Sequence, residues 1–291
     1  VIGSTATAGG PGEGHQKIRD VAVISEVDDT GTFARSCVRN FGFGTGFASD
    51  ADGVQIIDCI SLWATPGFAG PASGYSAGTT TPANSPLVHV EFNSTDGDGG
   101  PCVVRNNELS GGDRGVYSHI PKTHVWENEI TEVNESGVEV VGDIPGVPEY
   151  KDIHVSDNRI ELTDFFTVTG PTKKVKVRLA ASDANGTPAM LDPIVTDNSG
   201  EVPSIALPSG AVASVRGVDL DFGGGISGTC DRASVGDNAL RVAAASAAGY
   251  TGYRLGAGTT NCRVIANGHG NYFLGVDDTL GGVGNEVGHN T

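Results

Sequence analysis

Between residues 100 and 170 the chain alternates apolar and polar positions in short runs, and each run stops at an asparagine. Three runs align on that residue: "VVRNNEL" (103–109), "HVWENEI" (124–130) and "HVSDNRI" (154–160). With Asn107, Asn128 and Asn158 superposed, Val104, Val125 and Val155 coincide on one side and Leu109, Ile130 and Ile160 on the other. Further back, Cys102, Thr123 and Ile153 also coincide, while the positions between are polar or mixed. A period of two is the signature of a strand with one buried face. Asparagine is a poor strand former, so the shared Asn predicts a bend between two strands.

A second strand follows each bend. In "RGVYSH" (114–119), "SGVEVV" (136–141) and "DFFTVT" (164–169), Val116, Val138 and Phe166 are predicted to point inward, followed by Ser118, Val140 and Val168. Tyr117, Glu139 and Thr167 are predicted to face outward. The Asn residues are spaced by 21 and then 30 positions. Such a repeat predicts one turn of a β-solenoid per unit, with a loop such as "GDIPGVPEYK" (142–151) inserted in the longer coil.

These strand–Asn–strand units resemble the right-handed parallel β-helix of the pectin-lyase-like superfamily. In that family successive coils stack as parallel strands, and an Asn at one sharp bend stacks on the Asn of the next coil. Asn tolerates the left-handed backbone that a sharp bend needs, and its amide can bond to its neighbours above and below. A β-sandwich with chance Asn placement is the competing reading. The resemblance covers about residues 100–170, and weaker coils flank it, from "CVRNFGF" (37–43) upstream to "GNEVGHN" (284–290) downstream.

The implied fold class is all-β: coils over 1–170 with a long Pro/Gly/Thr-rich loop at 64–86, and further coils over 218–291. The segment 171–217 has a different texture. Its "SDANGT" and "TDNSGE" turns predict hairpins, hence an inserted small β-subdomain or a set of irregular coils.

Composition narrows the partners. A net charge of −17 disfavours nucleic-acid backbones and anionic membranes, with "TKKVKVR" (172–178) the only dense basic run. Asp outnumbers Glu 22 to 13, and Arg outnumbers Lys 12 to 6. That balance fits a protein of a salt-loving microbe, whose carboxylate surface stays hydrated in high salt, and equally an acidic secreted protein from a GC-rich genome. The 44 glycines suit tight turns better than helices, and "NALRVAAASAAGY" (238–250) is the best helix candidate. No run of 18 apolar residues is present to predict a membrane-spanning helix. The start "VIGSTATAGG" lacks Met and a signal peptide, as expected of a processed form or a fragment. The five cysteines make no metal-ligand spacing and read mostly as small buried apolar residues, with one disulfide-bridged pair the open alternative.

Several side chains are candidates for chemistry. Asp96 and Asp98 in "TDGDGG" form an oxygen-rich loop suited to Ca²⁺, the one cofactor in prospect, although a solvated loop is the plainer reading. Asp113, Arg114, Tyr117 and His119 share one coil, with Glu139 expected beside Tyr117. Asp113 and Glu139 are the acid–base candidates, and Arg114 and Tyr117 suit a sugar acid and a sugar ring. His124 and His154 should stack on adjacent coils next to Trp126. A ligand face, a protomer interface, a loop-covered strip and a metal site all fit them, the last needing a third ligand that the sequence does not place.

The resemblance implies two classes of function. One is a structural or receptor-binding protein at a virion surface, a tailspike, fibre or capsid-surface spike. Such a protein would form a homotrimer and contact other virion proteins, host-surface glycans or proteins. The other is a secreted polysaccharide lyase or glycoside hydrolase. No nucleophile motif is present, which favours the first.

Overall fold

The computed structural model describes residues 101–110, 114–133, 135–142, 147–162, 172–181, 188–202, 212–223, 228–242 and 249–270. It also describes 272, 274–278, 282–288 and 290, and six strands among the first hundred residues, over 16–19, 22–25, 38–40, 54–57, 60–63 and 86–90. Strand counts and contacts are those of these residues.

The described chain is all-β, and its strands pair in parallel within four sheets. In each sheet the neighbouring strands come from successive passes of the chain. The first sheet has nine strands, in order Gln16–Arg19, Val54–Ile57, Cys102–Arg105, Thr123–Trp126, Ile153–Ser156, Ile194–Thr196, Ser234–Gly236, Arg263–Ile265 and Glu286–Gly288. The second sheet has seven, beginning at Ala22–Ser25 and ending at Ala239–Val242. The third has eight, with Arg114–Ser118, Ser136–Gly142, Thr172–Ala181, Val212–Asp221, Tyr250–Leu255 and Leu274–Asp277 on one side of Pro86–Val90 and Val38–Asn40 on the other. The fourth is shorter: Glu149–Lys151, Ala189–Leu191, Thr229–Asp231 and Thr259–Thr260. Several parallel sheets stacked pass upon pass are consistent with an all-β solenoid.

The pairing register agrees with the alignment read from the sequence. Thr123 pairs with Cys102 and Ile153, Val125 with Val104 and Val155, and Ile130 with Leu109 and Ile160. All of these side chains are buried. They fill the space between the sheets as vertical stacks of like residues, so each coil covers the apolar face of the one before it.

Asparagines run up one corner. Nδ2 of Asn107 donates to Oδ1 of Asn128 at 2.8 Å, and the same bond repeats from Asn128 to Asn158, Asn158 to Asn198, Asn198 to Asn238, Asn238 to Asn267 and Asn267 to Asn290, at 2.9–3.0 Å. Each Oδ1 also accepts the backbone N–H of the previous Asn, and each Nδ2 also reaches a carbonyl of the coil below, as Asn128 does at Val104. The Asn residues from 107 to 267 are buried with their amides satisfied. One expectation is corrected here: the ladder Asn does not take the left-handed backbone. The residue before it does, at Asn106, Glu127, Asp157, Asp197, Asp237 and Ala266, with φ of 52–57°. The bend needs two jobs done, and separate residues do them: one turns the chain, and the next sends its side chain inward.

Three further differences follow from coil length. The ladder spacings after Asn158 are 40, 40, 29 and 23 positions. First, the strand facing Ser136–Gly142 is Thr172–Ala181, with Val138 opposite Val177 and Val140 opposite Leu179, where the sequence placed residues 164–169. The partner of Glu139 is therefore Arg178 and not Thr167. Second, "TDNSGE" is not a hairpin: Ile194–Thr196 and Ser199–Val202 lie in different sheets on either side of Asn198. The described strands within 171–217 join all four sheets and pair in parallel with the coils beside them. Third, "GDIPGVPEYK" contributes a strand, Glu149–Lys151, to the fourth sheet. The helix expectation at 238–250 gives strand at Ala239–Val242, and 243–248 lie outside the described residues.

One core position inverts the usual packing. Gly115, Gly137, Gly217 and Gly252 occupy one column of the third sheet, and a Cβ on Gly137 would meet Ile160 Cγ2 at 2.3 Å. In that column the Thr172–Ala181 strand carries Lys176, fully buried. The facing column of the second sheet holds Leu109, Ile130, Ile160 and Leu240, but at this level it has Gly200. The large and small residues have exchanged places. The Lys176 ammonium donates to the carbonyls of Gly200 and, at 3.5 Å, Arg241. Burial lowers its pKa from 10.5 to about 7, against the pull of Glu161 and Glu201.

Candidate functional site

Two outward faces carry chemistry. The first lies on the first sheet, where parallel pairing sets His124 beside His154 and Trp126 beside Ser156. The two imidazoles have centroids 4.9 Å apart, and the Trp126 ring lies 5.7 Å from that of His124. Asp152 completes the group. Its Oδ2 is 3.1 Å from Nε2 of His124, and its Oδ1 is 3.4 Å from Nε2 of His154. One donor atom from each of the three side chains lies within 4.8 Å of the others. Asp152 is held by a bend: its φ is 60°, and it immediately precedes the Ile153–Ser156 strand. Asp152 is thus a third candidate donor beside the two histidines, which the sequence did not place. His124 Nε2 is shielded from solvent and makes no well-formed hydrogen bond, despite its closeness to the carboxylate. Partial burial lowers the His154 pKa, and nearby His124 adds to this, against the opposing pull of Asp152.

The second face lies on the third sheet. Its outward column reads Tyr117, Glu139, Arg178, Asp219, Arg254 and Asp277 up the stack. From Glu139 upward the sign alternates at every coil. Arg178 bonds to Glu139 at 2.5 Å and to Asp221 at 2.8 Å. Arg254 bonds to Asp219 at 2.6 Å and also to Asp221, and Arg216 bonds to Asp219. Arg114 reaches Glu139 at 3.1 Å and Glu135 at 3.2 Å, with its guanidinium 4.4 Å from the centre of the Tyr117 ring. Tyr117 in turn packs edge-on against His119, at 4.5 Å. Ser136 donates to Glu139 at 3.1 Å. Glu139, Asp219 and Asp221 are buried. Burial disfavours the charge on Arg178, but Glu139 and Asp221 more than offset this and raise its pKa.

The structure thus joins Arg114, Tyr117, His119 and Glu139 into one cluster, and His124, Trp126 and His154 into another. Asp96, Asp98 and Asp113 lie outside the described residues. Cys102, Cys230 and Cys262 are buried free thiols, and Cys37 and Cys59 lie outside the described residues. Sequence reasoning missed Asp152, Arg178, Asp219, Asp221 and Arg254. A signal for Asp152 was present: Asp also precedes the next first-sheet strand in "LDPIV", at Asp192.

No family model, curated protein or solved structure matches this chain.

Proposed function

We propose that the chain is a right-handed parallel β-helix of the pectin-lyase-like kind, acting as a rigid structural or receptor-binding rod. The setting proposed is a virion surface, as in a tailspike, fibre or capsid spike, with three copies assembled about one axis and host-surface glycans or proteins as partners. The observation that carries this reading is the stack itself. Up to nine parallel strands share one sheet, and six side-chain bonds tie seven Asn residues along one corner. Such a body holds its loops at fixed spacing.

The state of Glu139 supports the passive reading over polysaccharide cleavage. As a general acid or base it would need a carboxyl free to exchange a proton with substrate. Here it is buried between Arg114 and Arg178 with a bond from Ser136. The test is an activity screen on acidic polysaccharides, with and without calcium, beside a glycan-binding screen and light scattering. Binding without cleavage, by a trimer, is the expected result. Cleavage that disappears in folded Glu139→Gln would overturn the passive reading, and a monomer at every salt concentration would overturn the assembly.

A further inference from the structure

We propose that His124, Asp152 and His154 form a binding site for one divalent transition-metal ion of the zinc type. This goes beyond the rod reading above and does not depend on it.

The donor set selects the metal. Two imidazole nitrogens and one carboxylate oxygen suit zinc and its neighbours, whereas calcium and magnesium take oxygen ligands almost exclusively. The spacing also fits. Metal–ligand distances of about 2.0–2.1 Å place the donor atoms of a tetrahedral zinc site roughly 3.3 Å apart. The two histidine nitrogens lie 3.1 and 3.4 Å from the Asp152 oxygens. Each nitrogen is at ligand spacing from a different Asp152 oxygen, and one donor atom from each of the three side chains lies within 4.8 Å of the others, so the three draw together to close on an ion.

Rigidity adds to the case. Parallel register fixes His124 against His154, so one coil supplies the first ligand and the next coil the second. Asp152 is set by its left-handed bend at the start of the His154 strand. All three ligands therefore sit on backbone whose position is determined by the stack. The shielded His124 nitrogen without a well-formed hydrogen bond is what a metal ligand looks like before its ion arrives. His154 and Asp152 are 42% and 50% exposed at their side chains, so an ion has a way in and a fourth position opens to solvent. Three protein ligands with one open position is the arrangement of a zinc site that can accept a water or an outside donor.

The experiment is calorimetric titration of the chelator-treated full chain with zinc chloride, together with titration by Co²⁺ followed by visible absorption. The comparison variants are Asp152→Asn and His154→Ala. Asn tolerates the left-handed bend, and both positions are half-exposed, so urea unfolding of the metal-free variants should match the parent. The expected result is one Zn²⁺ per chain with micromolar affinity or better, the strong visible bands of tetrahedral Co²⁺, and at least a tenfold loss of affinity in each variant. Binding weaker than millimolar would overturn the proposal. So would binding of equal strength in the parent and both variants, which would put the ion elsewhere on this acidic surface.

Discussion

Replacing Lys176 by Met tests the inverted packing at Gly200. The stem of Met fits the space left by the lysine chain and carries no charge. The lysine pKa falls from 10.5 to about 7 on folding. Above about pH 10.5 the amine is neutral in both states and costs nothing. Between pH 10.5 and 7 the unfolded chain takes up a proton that the folded chain refuses, so stability falls as pH falls, by about 1.4 kcal/mol per pH unit. Below pH 7 both states are charged and the whole penalty, about 5 kcal/mol, is in place. At pH 7 itself the penalty is about 4 kcal/mol. Met removes it but leaves the carbonyls of Gly200 and Arg241 without their donor, at a cost of about 2 kcal/mol that does not vary with pH. The Met variant should therefore be more stable than the parent by about 2 kcal/mol at pH 7, equal to it near pH 9, and less stable at pH 10. Urea unfolding at pH 7, 8, 9 and 10 measures the difference directly, and subtracting one protein from the other cancels every other titrating group. A difference that stays flat with pH would refute the assignment of a low pKa to Lys176.

Three other substitutions probe the frame. Asn128→Ala removes bonds to Asn107, Asn158 and the Val104 carbonyl, and should cost about 2–4 kcal/mol in urea unfolding while leaving surface binding intact. Gly200→Ala should cost more than 3 kcal/mol by the same assay, since φ is 124° and the new Cβ would lie 2.1 Å from the Ile160 carbonyl oxygen. Glu139→Gln keeps the shape but leaves Arg114 and Arg178 each short of a carboxylate, and should lower stability by about 1–3 kcal/mol with little dependence on salt, because the pair is buried.

The core columns were legible because stacking repeats one chemical choice at each level: Val104, Val125 and Val155 announce themselves by recurrence. The Asn ladder was legible for the same reason, yet only its first three rungs were aligned. Asn198 hides in "TDNSGE", where a local turn reading competes with a long-range one, and a single sequence gives local turn chemistry the stronger voice. The third sheet was placed correctly for Val116 and Val138 but not beyond. The number of residues between the second and third sheets changes from coil to coil, and period-two alternation says which face a residue takes without saying which strand it pairs with. The alternating charges at Glu139, Arg178, Asp219 and Arg254 were invisible for that reason. They are about 40 positions apart in sequence and become neighbours only once the coil lengths are known. Asp152 was missed because it belongs to a bend and not to a strand.

The left-handed residues do more than turn corners. Five positions separate Asp152 from Asp157, Asp192 from Asp197, Arg232 from Asp237 and Asn261 from Ala266. Every one of these intervals spans a first-sheet strand, although the coils containing them differ widely in length. Among the described residues, the differences in length between these four coils lie outside this interval. The first sheet is thus a ruler of fixed gauge, and the remaining corners are sockets where foreign segments can be grafted without shifting its divisions. A peptide spliced beyond the second sheet would be displayed at a height set by coil number alone, which makes this chain a scaffold on which the distance between two displayed groups can be chosen in steps of one strand spacing, about 4.8 Å.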